Sequence, residues 1–431
     1  MIVGVVFGLV YLGMAVGRLP GLQVDRAWMA AAGASVLIAT GALTLDRAAE
    51  AIDTGALVLL FALMVLSAQF EISGFYARCA DGLARVGSRP LVLLAATVAL
   101  GGVLSALLVN DIVVLALTPI LINAAVTRGL DPRPLLLALA GAANAGSAAT
   151  LIGNPQNILI GQAGELDFWT YAAIATPPAA TALLVVFSVI ALMWRGCFSS
   201  TSAVKADSVP AAVAPEVQMA AESDASGGTA AEPAVAIDRA ALWKAGLALV
   251  ALLVLFATPL PRAASALIIA ILVLASRRRA SGEMIGRVNW NLLILFIGLF
   301  IITEAFADSG FAAPMAALMD SLGFAADSAA ALALASAAGS NVIGNVPFVM
   351  LLLEVERGLS QGTLAGLALF STLAGNLLLT GSVVNLIVVE TARQHGVRLG
   401  FLSFAAVGIP AALLSMAIAA AWLVATGQMN P

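Results

Sequence analysis

Two stretches of this chain carry polar groups where an apolar segment should have none. The first is Thr150-Leu151-Ile152-Gly153-Asn154-Pro155-Gln156-Asn157, inside a run from 134 to 164 with no charged residue. As one straight helix those 31 residues would reach about 46 Å, more than the ~30 Å core of a bilayer, so the run must tilt steeply or break. Pro155 removes a backbone donor and disfavours helix at Asn154, while Gly153 permits unusual torsions. A break there frees backbone carbonyls that can hold a cation. It also opens a helix N-terminus that can face an anion, beside the amides of Asn154, Gln156 and Asn157. The second stretch, Leu379-Thr380-Gly381-Ser382-Val383-Val384-Asn385, lies at the centre of the charge-free run 358–389 and offers similar groups without a proline. The plainer alternative for both is helix packing through small and polar residues.

Asn110 and Asp111 sit in the middle of the apolar stretch 90–126, whose only charge is Asp111. An ionisable residue at that depth costs about 2.5–3.5 kcal/mol on insertion scales and marks a functional site by default. Asn345, in Ser-Asn-Val-Ile-Gly-Asn-Val-Pro-Phe, occupies a matching place in 325–353, with Asn341 nearby and Pro347 marking the restart of helix. Glu304 and Glu390 end their apolar runs and read as interfacial; Asn144 and Asn376 suit either a cavity lining or a helix cap. No Lys or Arg falls in these segments, so an anion would be held by amides, hydroxyls and helix ends.

The elements that must position these groups are membrane spans. Of 431 residues, 61% are hydrophobic and 10% charged, against about 25% charged in a soluble domain. The expected fold is an all-α polytopic membrane protein. Spans are expected at 2–17, 28–45, 54–71, 134–164 and 168–194, then at 241–258, 263–276, 289–306, 358–389 and 400–426. The stretches 90–126 and 325–353 do not fit as single spans. They read as re-entrant hairpins, the first built of two half-length helices meeting at Asn110 and Asp111. With ten crossings, 17 of the 20 Lys and Arg fall on one side and only Arg47, Arg262 and Arg357 on the other. The positive-inside rule makes the rich side cytoplasmic and both termini periplasmic, in a bacterial inner membrane. The first span lacks a basic leader and reads as a span, not a cleaved signal. Residues 199–238, rich in Ala, Ser, Pro, Glu and Gly, read as a disordered cytoplasmic linker between a first repeat, 1–198, and a second, 239–431. Cys79 and Cys197 imply no disulfide framework, and a single histidine forms no His-based metal cluster. No basic patch suggests nucleic acid, and no ATP-binding motif is present.

The halves repeat in order. Phe70, Ser73, Gly74, Phe75 and Gly87 recur at an offset of 236 as Phe306, Ser309, Gly310, Phe311 and Gly323. Ser105 and Asn110 recur at 235 as Ser340 and Asn345, and Gly153 and Asn157 at 228 as Gly381 and Asn385. Five crossings per half make the second half inverted, a transporter arrangement with binding near the midplane.

Ala-Thr-Leu-Ile-Gly-Asn-Pro-Gln-Asn-Ile-Leu-Ile-Gly at 149–161 is similar to the T-x-I-G-[SN]-P-x-N element of the ion transporter superfamily. That superfamily includes arsenite permeases, a branch of sodium/proton antiporters, citrate transporters and divalent-anion/sodium symporters. Val-Asn-Asp-Ile-Val-Val-Leu-Ala-Leu-Thr-Pro at 109–119, Gly-Asn-Val-Pro-Phe at 344–348 and Gly-Ser-Val-Val-Asn at 381–385 resemble its other motifs. The resemblance covers both membrane halves but not the linker. It implies a homodimer in which a substrate-carrying domain slides past a scaffold. It also implies that Asn110, Thr150, Gly153, Asn154, Asn157, Asn345, Gly381, Ser382 and Asn385 surround substrate and coupling ion. Divalent-anion symporters carry Ser-Asn-Thr at both tips, where this chain has Val109-Asn110-Asp111 and Gly344-Asn345-Val346, and an Asn-Asp tip is similar to the arsenite-permease branch. The expected function is a secondary transporter for a small anion or oxyanion-like solute, with no cofactor and driven by protons. Sodium is the alternative coupling ion, bound near Asn110, Asn157, Asn345 and Asn385. A sodium/proton antiporter and a passive channel are the alternatives among membrane proteins. An intramembrane aspartyl protease would need two deep aspartates, and Asp111 is the only one.

Overall fold

The structure is a computed structural model, and it describes residues 2–16, 25–86, 89–195, 238–275, 280–321 and 323–431. The stretch 199–238, expected to be a linker, lies outside the described residues except for Asp238, and so does Cys197. Among the described residues there are helices and one isolated bridge between Ser328 and Asn430.

Ten helices precede residue 196: α1 (Ile2–Val16), α2 (Arg26–Ala39), α3 (Leu45–Glu50), α4 (Thr54–Ile72), α5 (Phe75–Arg85), α6 (Pro90–Leu107), α7 (Asn110–Val126), α8 (Arg133–Ser147), α9 (Pro155–Ala163) and α10 (Phe168–Met193). The second set follows Asp238: α11 (Arg239–Leu255), α12 (Arg262–Leu274), α13 (Ser281–Ile285), α14 (Trp290–Asp308), α15 (Ala312–Ser321), α16 (Ala329–Val342), α17 (Asn345–Val355), α18 (Gln361–Ala374), α19 (Val383–Gln394) and α20 (Phe401–Ala425). Five of these helices are long and apolar enough to cross a bilayer: α4, α6, α10, α14 and α20. The chain is a multi-pass membrane protein.

Acidic residues that hydropathy leaves unexplained mark helix starts. The carboxylates of Asp25, Asp53, Asp167 and Asp238 accept from the backbone N–H of Trp28, Ala56, Thr170 and Ala241, capping α2, α4, α10 and α11. Each cap satisfies an orphan donor and sets a negative charge against the positive end of the helix dipole.

The first hairpin differs from expectation. Its arms, α6 and α7, have 18 and 17 residues, about 27 and 26 Å, and are not half-length. The connection uses only Leu108 and Val109, which leaves nearly the whole apolar stretch for helix. In the second hairpin α16 and α17 have 14 and 11 residues. Both long charge-free runs do break. Residues 148–154 separate α8 from α9; residues 375–382, with a 3-10 turn at Leu379–Gly381, separate α18 from α19.

Packing pairs the two sets reciprocally. The second helix of each set lies on the fourth of the other, α2 on α14 and α12 on α4; α6 packs on α8 as α16 does on α18; α10 meets α20. Small residues allow the closest contacts, as is usual where lipid supplies no hydrophobic drive between helices. A Cβ at Gly146 would lie 2.1 Å from the Gly102 carbonyl oxygen, so α8 and α6 touch backbone to backbone. Ion pairs tie the sets together on opposite faces: Arg47 with Glu304 at 2.8 Å and Asp308 at 3.2 Å, and Arg287 with Glu71. Glu304 is therefore an ion-pair partner of Arg47, and Glu390 pairs with Arg393 at 2.7 Å.

Candidate functional site

Each break strands carbonyls in a dry interior, where an unmet acceptor is costly. An asparagine resolves this in both halves. Asn157 Nδ2 donates to the carbonyls of Ser147 (3.3 Å) and Thr150 (2.9 Å), and lies 3.2 Å from the Tyr171 hydroxyl. Asn385 Nδ2 donates to the carbonyls of Gly375 (2.7 Å) and Leu378 (3.1 Å). Each asparagine Oδ1 then accepts from the other half: Asn157 from Thr372 Oγ1 at 3.1 Å, Asn385 from Asn144 Nδ2 at 3.1 Å. Both side chains are fully buried and fully occupied, and they lock the breaks.

The remaining break residues join this network. Asn154 caps α9 by accepting from Asn157 N–H at 2.9 Å, and its Nδ2 donates to Ser147 Oγ and Thr372 Oγ1. Thr150 Oγ1 donates to the Ala106 carbonyl at 2.5 Å, fastening the break to the first hairpin. The Gly153 carbonyl accepts from Asn110 N–H at 3.1 Å, and a side chain at Gly153 would collide with the Ser147 carbonyl oxygen. Ser382 Oγ donates to Asn144 Oδ1 at 3.0 Å, and Asn376 Nδ2 donates to the Gly141 carbonyl at 3.0 Å. Asn341 Oδ1 accepts from Leu378 N–H at 3.2 Å, so it ties the second hairpin to the second break. Thr380 lies in the 3-10 turn, partly buried.

A small cavity of about 50 Å³ opens where both hairpin tips meet both breaks. One wall comes from α1, α2 and α14 through Met14, Arg26, Leu292 and Leu295. The other carries Asn110, Asp111, Gln156, Asn345, Gly381 and Ser382. Gly344 forms the second tip with φ +98°, a conformation that favours glycine. Asn110 Oδ1 and Asn345 Oδ1 are buried and accept no hydrogen bond, and Asn110 Nδ2 makes one long bond, 3.4 Å, to Ser147 Oγ. Among the described residues no ion pair or side-chain hydrogen bond reaches Asp111. The cavity thus offers unclaimed oxygen acceptors on one wall.

Of the residues singled out from the sequence, Asn110, Asp111, Asn345, Gly381 and Ser382 face the cavity. Thr150, Gly153, Asn154, Asn157, Thr380 and Asn385 stand behind it. One expectation is corrected: a cation does line the site, namely Arg26, counted from the sequence as an ordinary loop charge. Residue 26 sits at the end of an apolar run, where hydropathy expects an interfacial charge, and folding brings that end against the second tip. The repeat held a signal, because Arg26 recurs as Arg262 at the same offset that carries Phe70 to Phe306.

Comparison with known proteins finds relatives of similar length. The chain is 27% identical to the silicon efflux transporter LSI3 of rice (Oryza sativa subsp. japonica), over 96% of this chain and 95% of that protein. It is 23% identical to the putative transporter arsB of Dictyostelium discoideum, over 94% and 88%. The crystal structure of the Alcanivorax borkumensis YdaH transporter aligns with a TM-score of 0.44 at 15% identity, covering 100% of this chain and 98% of that one. The citrate transporter family model, CitMHS, matches residues 9–366. The chain is a membrane transporter of the citrate and arsenite permease type and belongs to the citrate transporter family of the ion transporter superfamily.

Proposed function

We propose that the protein is a secondary transporter of a small anion or oxyanion-like solute, held in the cavity between the two tips and driven by an ion gradient. One observation carries this reading: the Arg26 guanidinium, with no ion pair or hydrogen bond to any described residue, lines one cavity with Asn110 and Asn345, whose buried Oδ1 atoms lack a donor and suit the hydroxyl protons of an oxyanion-like solute. Buried polar groups are normally satisfied; of the seven buried side-chain atoms without a partner among the described residues, only these two belong to residues that line the cavity, which points to a ligand there. The site comprises Asn110, Asp111, Asn345, Gly381 and Ser382 as cavity groups. Thr150, Gly153, Asn154, Asn157, Thr380 and Asn385 shape and support it. With Asp111 ionised, its charge offsets that of Arg26; a protonated Asp111 leaves a net positive cavity that accepts an anion. Proton and solute then enter together, which is proton coupling.

The halves act as inverted repeats, 1–198 and 239–431, joined by a cytoplasmic linker at 199–238. The reciprocal packing of α2 on α14 and α12 on α4, and the matched locks at Asn157 and Asn385, support this. Elevator-type alternating access follows from a wall of α1, α2 and α14 facing a block of tips and breaks. A homodimer in a bacterial inner membrane, with both termini periplasmic, completes the reading. The names of the relatives widen the solute class: silicon efflux suits a neutral hydroxylated solute, and the family description suits a carboxylate.

A second reading has its own observation. Two unclaimed amide oxygens beside an unpaired carboxylate are also hard oxygen donors for sodium, which favours a sodium/proton antiporter. The test is a solute panel in proteoliposomes, including citrate, silicic acid and arsenite, with proton and sodium gradients imposed separately. Solute accumulation driven by a proton gradient supports the first reading. Sodium-for-proton exchange with no solute movement supports the second, and dissipative flux that never accumulates solute makes the protein a channel.

A further inference from the structure

Arg26 and Arg262 open the second helix of each set, and the offset between them is the one that relates Phe70 to Phe306. In this structure the two do different things. A Cβ on Gly344 would lie 3.5 Å from Arg26 Nη1, so this guanidinium borders the second tip and lines the cavity. The Arg26 side chain makes no ion pair and no hydrogen bond with any described residue. Arg262 stands outside the cavity lining; its Nη2 donates to the Gly161 carbonyl at 2.6 Å, in the last turn of α9. A half-buried guanidinium, always charged and carrying five donors, is costly without a partner. Its planar fork fits a carboxylate or oxyanion through two parallel bonds.

The faces differ as well. Met14 ends α1, Arg26 begins α2, and Leu292 and Leu295 lie early in α14, so this wall of the cavity belongs to the cation-rich face. Arg262 begins α12 on the opposite face. Exchanging the roles of the two halves carries each arginine into the other's setting. Arg262 then meets the first tip at Val109, the counterpart of Gly344. Arg26 then meets the Val389 carbonyl, the counterpart of Gly161.

We propose that Arg26 and Arg262 are alternating anion-recognition residues. Arg26 serves the site when it faces the cation-rich side, and Arg262 serves it when it faces the other side. In each state the idle arginine caps the far end of a broken helix. The inference rests on the anion-transporter and inverted-repeat readings above.

The test is half-saturation for citrate, an anion, and silicic acid, a neutral probe, measured separately from each face of vesicles holding the full chain in known orientation. Arg26→Gln is expected to raise the citrate half-saturation at least tenfold from the cation-rich face, with partial rescue by Arg26→Lys and a several-fold smaller effect on silicic acid. Arg262→Gln is expected to act on citrate from the opposite face. If wild type carries citrate while Arg26→Gln leaves its half-saturation unchanged, the inference falls and the anion reading stands. Equal loss of both probes by a folded Arg26→Gln protein makes Arg26 structural and overturns it. An Arg262→Gln effect confined to the cation-rich face overturns the alternation. If wild type moves silicic acid alone, or neither probe, the anion reading fails and the inference fails with it.

Discussion

Alanine at Asn157 and alanine at Asn110 should fail in different ways. Asn157 is fully buried, and its amide serves the Ser147 and Thr150 carbonyls while accepting from Thr372 Oγ1. Asn157→Ala leaves two carbonyls and one hydroxyl short of a partner. At about 1–3 kcal/mol for each buried unsatisfied group the three sum to about 3–9 kcal/mol, toward the low end because one bond is 3.3 Å and Thr372 Oγ1 keeps Asn154 and Gln156 as donors. Asn110 makes one 3.4 Å bond, to a Ser147 hydroxyl that keeps its own bond to the Asn144 carbonyl at 2.9 Å. Its Oδ1 has no partner to lose, so Asn110→Ala should cost less than about 1 kcal/mol. SDS-driven unfolding in mixed micelles measures the stability difference, and proteoliposome uptake measures transport. Asn110→Ala should unfold like wild type and carry no solute, while Asn157→Ala should unfold at clearly lower SDS. If Asn157→Ala matches wild-type stability and loses transport, Asn157 is a ligand and not a lock, and the assignment of roles is wrong.

Three further outcomes are expected. Gly146→Val should prevent correct insertion, because even a Cβ would overlap the Gly102 backbone; normal yield of folded protein in detergent chromatography would contradict the close approach of α8 and α6. Asp111→Asn should abolish solute movement driven by an imposed pH gradient in vesicles clamped at zero potential, and a response equal to wild type would remove Asp111 from coupling. Replacing residues 199–238 with a Gly/Ser tether of similar reach should leave flux unchanged; loss of flux from normally inserted protein would show that the linker does more than connect.

Much of this protein is legible one residue at a time, because a bilayer punishes every charge and every unmet backbone group locally. Spans expected at 54–71 and 168–194 appear as Thr54–Ile72 and Phe168–Met193. Gly153 and Pro155 announced the first break through their own backbone chemistry, and Asn110 and Asn345 stood out as polar residues in apolar runs. The arms of the first hairpin are longer than the half-length helices expected, because a turn of two residues leaves nearly the whole stretch 90–126 for helix. Tertiary structure alone decided which asparagines are spent and which are free. Asn157 and Asn385 look as available as Asn110 in the sequence, yet Thr372 and Asn144, each from the opposite half of the chain, occupy their oxygens. Arg26 shows the same limit in reverse. A cation at the end of a span looks interfacial in any hydropathy profile, and only the docking of a tip from the other half of the chain makes it a wall of the site.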